Sequence, residues 1–334
     1  MYKKSLIAIS AMLSLLAFGG AHAADKPVLT IYTYDSFTSE WGPGPAIETA
    51  FEAQCNCDLN FVALDSSIGI LGRVQLEGAS SKADIVLGLD TNLTDIARKT
   101  GLFQPHSSSE TADNLPTSFT DDIFMPFDWG YFAFVYDKNR MATPPASMDE
   151  LVNASDDLRI AIQDPRTSTP GLGLLLWMKS IYGDDAPQAW SKLNPKIVTV
   201  TKSWWDAYSL FLEGEADMVL SYSTSPAYHA IAEGADNYAA AAFSEGHYMQ
   251  IEVAAILKNA PQPELAKSFM NFIQGSEFQG IIPTTNWMYP TQKSATPDGF
   301  SSLIKPENEF LFSGAEVADN KQAWVDEWLA ISAQ

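Results

Sequence analysis

The sequence predicts an α/β fold built as two units with more than one crossing between them. Three observations predict it. Strand-like and helix-like runs alternate at short spacing through the first hundred residues, the pattern of a parallel sheet with helical crossovers. An aromatic strand then breaks that pattern, and a second alternation follows it. The length, 334 residues with 46% hydrophobic, suits about two domains with packed cores and rules out wholesale disorder.

The elements follow in order. Pro27–Tyr34 is rich in β-branched and aromatic residues and reads as the first strand. A loop, Trp41-Gly42-Pro43-Gly44-Pro45, leads to a helix around Ala46–Cys55. Leu59–Leu64 is a strand, Ile70–Glu77 a helix and Ala83–Gly88 a strand. Asn92–Thr100 is a helix stopped by Gly101. Gly130–Tyr136 is the aromatic strand, Met148–Asn153 a short helix and Leu158–Gln163 a strand. Helix Leu172–Tyr182 comes next, and Trp204-Trp205 sit in a turn after a Val-Thr strand. Ala216–Ser221 and Tyr248–Leu257 are strands, and Pro263–Ile273 and Asn320–Ser332 are helices.

Ahead of these lies an address. Lys3 and Lys4, the apolar run Leu6–Phe18 and the small-x-small site Ala21-His22-Ala23 form a cleavable secretory leader over residues 1–23. The run is short of the ~20 residues of a spanning helix. Export to the periplasm is therefore expected. Cys55 and Cys57 are the only cysteines, too few for a disulfide framework. Export permits a bond between them, but their spacing makes a tight ring, so the sequence leaves both the bonded and the thiol state open.

Twenty Lys+Arg stand against 41 Asp+Glu, a net charge of -21. Such a chain repels phosphate backbones and anionic lipid, which excludes nucleic-acid and membrane-surface binding and favours a cationic or neutral small partner. Catalytic signatures are missing. There is no G-x-S-x-G elbow, P-loop or H-E-x-x-H, and Gly171-Leu172-Gly173 lacks the third glycine of a dinucleotide fingerprint. No histidine lies near the cysteines to suggest a metal site. The chain reads as a binder, not an enzyme, with no cofactor.

Candidate binding residues cluster where predicted strands end. Ser168-Thr169-Pro170 caps a strongly apolar helix and follows a strand, so its amides and hydroxyls can face a ligand. Simple capping would also explain it; the place at a strand's carboxyl end adds the site reading. Tyr222-Ser223-Thr224-Ser225-Pro226 repeats the arrangement, with Tyr228 further along. Tyr34, Trp41, Trp204 and Trp287 lie in or beside polar loops and are poor core candidates. Trp129, Trp177, Trp190, Trp324 and Trp328 lie in or beside regular elements and are assigned to packing. Aromatic faces stabilise a desolvated cation by about 0.5–2 kcal/mol each.

At these residues the chain resembles the thiamine-binding periplasmic proteins, the solute receptors of bacterial ABC-type thiamine importers. The carrying strings are Tyr32-Thr33-Tyr34-Asp35-Ser36-Phe37 with Trp41-Gly42-Pro43-Gly44-Pro45, residues 82–90, residues 163–173, residues 221–229, residues 243–248 and Asn286-Trp287-Met288-Tyr289-Pro290. They span nearly the whole processed chain. The resemblance implies a type II periplasmic-binding fold, two α/β lobes joined by hinge strands with a ligand cleft between them. Residues 24–126 and 254–305 would form one lobe, and 127–253 and 306–334 the other. It also implies contacts to thiamine or its mono- and diphosphate at Ser168, Thr169, Trp204, Tyr222, Ser223, Thr224 and Ser225. A further family contact loop matches Ser66-Ser67, where relatives often carry an acidic residue and Gly. Tyr34, Trp41, Tyr228 and Trp287 are added from the residue reading. The implied partners are an inner-membrane ABC permease with its ATPase subunit, the receptor itself being a monomer.

Two same-fold alternatives and one of another class stand beside this. A ferric-iron receptor would want adjacent tyrosines with His or carboxylate ligands, whereas hydroxyl residues follow Tyr222. A polyamine receptor would want several acids among aromatics. A secreted hydrolase of thiamine phosphates would need a nucleophile motif that the sequence lacks.

Overall fold

The computed structural model describes residues 26–108 and 112–333. The leader expected over residues 1–23 lies outside them. In the first half, strands β1 (Val28–Tyr34), β2 (Asp58–Leu64) and β3 (Ile85–Asp90) pair in parallel in the order β2-β1-β3. After the short β4 (Phe103–Gln104), β5 (Met125–Asp137) carries the chain into the second half. There β6 (Ile160–Gln163), β7 (Ile197–Thr201) and β8 (Met218–Tyr222) pair in parallel as β8-β6-β7, with β9 (Tyr238–Ala240) on β5. Strand β10 (His247–Leu257) brings the chain back, and β11 (Tyr289–Pro290) and β12 (Glu309–Phe310) complete the set.

The sheet is mixed rather than wholly parallel. One strand carries the chain out and another returns it, so β5 and β10 lie antiparallel at its centre, in the order β2-β1-β3-β10-β5-β8-β6-β7. Strand β5 pairs with β10 through Tyr131 and with β8 from Phe132 onward, so it changes partner within one step. Strand β10 pairs with β12 at His247–Tyr248 and with β5 from Met249. Among the described residues these are the two long strands that both halves share, and they connect them.

The C-terminal helix Gly314–Ser332 packs on both halves. It lies against Thr94–Lys99, with Lys99 paired to Asp319 at 3.2 Å, and against Ala186–Leu193, with Trp190 and Trp328 rings 6.4 Å apart. The sequence grouped residues 306–334 with the second lobe; the helix packs on that half and also reaches Thr94–Lys99 of the first. It also starts earlier than Asn320, because Ser313 and Glu316 form a reciprocal capping box.

Other elements differ from expectation for local reasons. Trp204 and Trp205 are not in a turn but open the helix Trp204–Leu212, whose N-cap Ser203 accepts a hydrogen bond from the Asp206 amide. Helices Ala186–Leu193 and Ser276–Thr285 were not foreseen; each contains a proline, at the first turn of one and inside the other. The packing tryptophans behave as expected: Trp129, Trp177, Trp190 and Trp328 are buried, and Trp324 packs against the core. Cys55 and Cys57 are joined as a disulfide at the end of helix Gly44–Cys55, with the intervening Asn56 left-handed at φ 49°.

Candidate functional site

A cavity of about 210 Å³ lies between the halves. The parallel strands deliver its walls from their carboxyl ends, the usual ligand side of an open α/β sheet. Tyr34 closes β1, Ser66-Ser67 follow β2, Ser168-Thr169 follow β6, Trp204 follows β7 and Tyr222 closes β8. Local packing sets these positions. Gly88 sits at φ 102° with the Tyr34 ring where a Cβ would be, so only glycine lets that ring lie against β3. A Cβ on Gly171 would strike the Gln163 and Asp164 backbone, so glycine lets helix Thr169–Tyr182 start close against the end of β6.

Contacts cross the gap from both sides. The Trp41 ring lies 5.3 Å from Trp205, and Tyr228 meets Trp287 edge-on at 5.3 Å. The Ser66 hydroxyl donates to the Thr167 carbonyl, and Asp65 pairs with Lys202. The Ser67 hydroxyl donates to the Gly88 carbonyl within its own half. Trp204 is held from behind: its indole N–H donates to Ser221 Oγ at 2.8 Å and its ring stacks on Tyr208 at 5.1 Å. Trp287 is held by backbone, at φ 57° in the left-handed region unusual for a bulky residue.

The electrostatics are one-sided. Asp35, Asp65 and Glu252 line the cavity, and among the described residues no Lys, Arg or His does. Asp35 is exposed, with its carboxyl raised by partial burial, and Asp65 is already paired. Glu252 is the buried acid at the floor. It accepts from Tyr34 Oη at 2.8 Å and from Gln250 Nε2 at 2.8 Å, and burial holds its carboxyl well above the usual range. Next to it, Asn286 Nδ2 donates to Asp128 Oδ2 at 2.6 Å and to Tyr34 Oη at 2.9 Å. Burial also raises the Tyr34 and Tyr222 phenols well above their ordinary value, so both stay neutral donors. Among the described residues no group of three or more His, Cys, Asp or Glu is placed to hold a metal ion.

Of the residues the sequence singled out, the cavity brings together Tyr34, Trp41, Ser66, Ser67, Ser168, Thr169, Trp204, Tyr222, Ser225, Tyr228 and Trp287. Ser168 takes the N-cap position of helix Thr169–Tyr182, yet its side chain makes no cap hydrogen bond, which leaves the hydroxyl for another partner. Ser223 and Thr224 do not line the cavity. Both are fully buried behind it: the Ser223 amide donates to the Tyr131 carbonyl at 2.8 Å, and the Thr224 hydroxyl faces Met288 Sδ at 3.8 Å. The sequence reading missed Asp35, Trp205, Tyr208, Glu252 and Asn286. For Glu252 a signal existed, a lone acid in the otherwise apolar and amide run Met249–Leu257.

Comparison with known proteins places the chain in a family. Residues 38–280 match the model of the family described as bacterial extracellular solute-binding protein. A thiamine-binding periplasmic protein of Escherichia coli (strain K12) is 57% identical over 95% of this chain and 97% of its own length. One from Haemophilus influenzae is 42% identical over 97% of this chain and 98% of its own. A solved structure described as a periplasmic thiamin binding protein superposes with a TM-score of 0.91 at 57% identity, covering 92% of this chain and 97% of that one.

Proposed function

The chain belongs to the bacterial extracellular solute-binding proteins and, within them, to the thiamine-binding periplasmic proteins, and from that premise we propose that its cavity takes thiamine together with thiamine monophosphate and diphosphate. Its role is that of a periplasmic receptor for thiamine import by an ABC transporter, not of an enzyme. In this reading the receptor works as a monomer and presents its closed form to an inner-membrane permease that carries an ATPase subunit.

The observation that carries the reading is an aromatic cavity lined by three acids and, among the described residues, no base. Thiamine is a permanent cation with a flat aminopyrimidine and a hydroxyethyl tail. The thiazolium suits the indole and phenol faces and the acidic floor, and the pyrimidine suits stacking. The tail, free or phosphorylated, suits the hydroxyls and first-turn amides at Ser168-Thr169, with Ser66-Ser67 opposite. The lobes of residues 24–126 with 254–305 and of 127–253 then close by bending in β5 and β10, with the C-terminal helix spanning both. A ferric-iron reading is disfavoured because Tyr222 and Tyr228 are six apart rather than adjacent and hydroxyl residues follow Tyr222.

Titration calorimetry with the three thiamine compounds and with a polyamine tests the proposal. One-site binding of all three and none of the polyamine is expected. Saturable heat from the polyamine alone would overturn it.

A further inference from the structure

Glu252 does not stand alone at the cavity floor. In the sheet register it sits directly opposite Asp90 on β3 and Asp128 on β5. Directly opposed residues project from the same face, so three carboxyls form a row across three adjacent strands. Asp90 and Asp128 are 0% exposed and Glu252 5%, and of the three only Glu252 reaches the cavity. The surrounding groups are almost all neutral. Tyr34 comes from β1, Tyr222 from β8, Gln250 from β10 and Asn286 from the loop after helix Ser276–Thr285. Among the described residues the cation acting on the row is Lys321 on the C-terminal helix, through Asp90. Asp128 Oδ1 is buried with no hydrogen-bond partner. One ammonium can balance one of three carboxylates, so the other two hold protons in the protein by itself.

From this row we infer that Glu252 is the counter-ion of the bound cation and that it gives up a proton to solvent when the cation enters. The inference rests on the thiamine reading above. The step balances: the Glu252 O–H bond breaks, the proton passes to water or buffer, and the positive charge of the ligand replaces it beside the carboxylate. Tyr34 Oη and Gln250 Nε2 already donate to both Glu252 oxygens, so the anion finds its hydrogen bonds in place. Asp128 keeps its own proton, because two adjacent buried anions would need two cations. Binding is thereby coupled to pH, and capture strengthens as pH rises.

Calorimetry of thiamine in phosphate and in Tris, buffers of different ionisation heat, tests this directly. The apparent heats should differ by an amount equal to about one proton released per ligand at neutral pH, and affinity should rise up to about tenfold per pH unit between pH 6 and 8. Glu252→Gln keeps the shape and removes the titration, so it should weaken thiamine by about tenfold or more at pH 8 and flatten the pH profile. Asp128→Asn replaces a neutral carboxyl by a neutral amide, so the rise in affinity with pH should persist, and a profile flattened by this variant would move the titrating proton away from Glu252. It serves as the second variant should Glu252→Gln fail to fold. Saturable binding with equal heats in both buffers and a flat wild-type profile would overturn the proton coupling and leave the receptor reading standing. A Glu252→Gln protein with the wild-type slope would overturn the role of Glu252. No thiamine binding in either buffer would overturn both readings.

Discussion

Trp204 has a cavity face and a packing face, and substitution separates them. Its ring lines the cavity while stacking on Tyr208 and donating to Ser221. Trp204→Ala should therefore cost ~2 kcal/mol of thiamine binding, about thirtyfold in affinity, and remove much of the ligand-induced change in tryptophan fluorescence. Trp205 is 42% exposed and meets Trp41 across the mouth. Trp205→Ala should mainly speed release, read by stopped-flow dissociation. Wild-type affinity in a folded Trp204→Ala protein would remove it from the site. Trp41 and Trp287 were legible in sequence because indoles set among Gly, Thr and Asn have little apolar surface around them to bury in, whereas Trp205 and Tyr208 lie on an aromatic helix and were missed. Glu252 was not legible, because its meaning depends on Asp90 and Asp128, far away in sequence and opposite it only once β3, β10 and β5 pair. Ser223 and Thr224 were misplaced for the converse reason. A hydroxyl run after a strand looks the same whether its side chains face a cleft or the back of β5.

At the scale of elements, helix Thr169–Tyr182 opens its first turn onto the cavity, where the proposal seats the ligand tail. Its first-turn amides lack intrahelical partners, and Ser168 does not cap them with its side chain. Replacing Ser168 and Thr169 together by Ala should weaken thiamine monophosphate and diphosphate more than thiamine, by about 1–2 kcal/mol, since hydrogen bonds to a charged group are the stronger ones. Equal losses for all three ligands in calorimetry would place the tail elsewhere. The parallel strands were readable from β-branched runs such as Val28–Tyr34 and Ile85–Leu89. Helix Trp204–Leu212 was hidden because paired tryptophans and aromatics favour neither state strongly, and the Ser203 cap decides it. The bridging path of Gly314–Ser332 could not be read at all. It depends on Thr94–Lys99 and Ala186–Leu193 presenting surfaces on either side of the hinge strands.

The whole molecule carries its buried acids as a pH-dependent load. Burial raises Asp90 to about 6 and Asp128 to about 8, with Glu252 well above its ordinary value. A raised carboxyl adds stability that is full below its unfolded pKa and is lost as pH rises through its folded one. Asp128 and Glu252 therefore cost ~1.4 kcal/mol each per pH unit while only the unfolded chain has them ionised. Buried His247, its imidazole lowered by desolvation, works the other way, but only below about 6.5. The melting temperature of the ligand-free protein should thus fall from pH 6.5 to pH 8, and the stabilisation by saturating thiamine should grow over the same range. A melting temperature that rises across that window would contradict the protonated row. The central claim, that two halves hinged on β5 and β10 shut on thiamine, is tested most directly by small-angle scattering of the processed protein with and without saturating thiamine. The account predicts a smaller radius of gyration with ligand. Superimposable profiles, with saturation confirmed by tryptophan fluorescence, would contradict it.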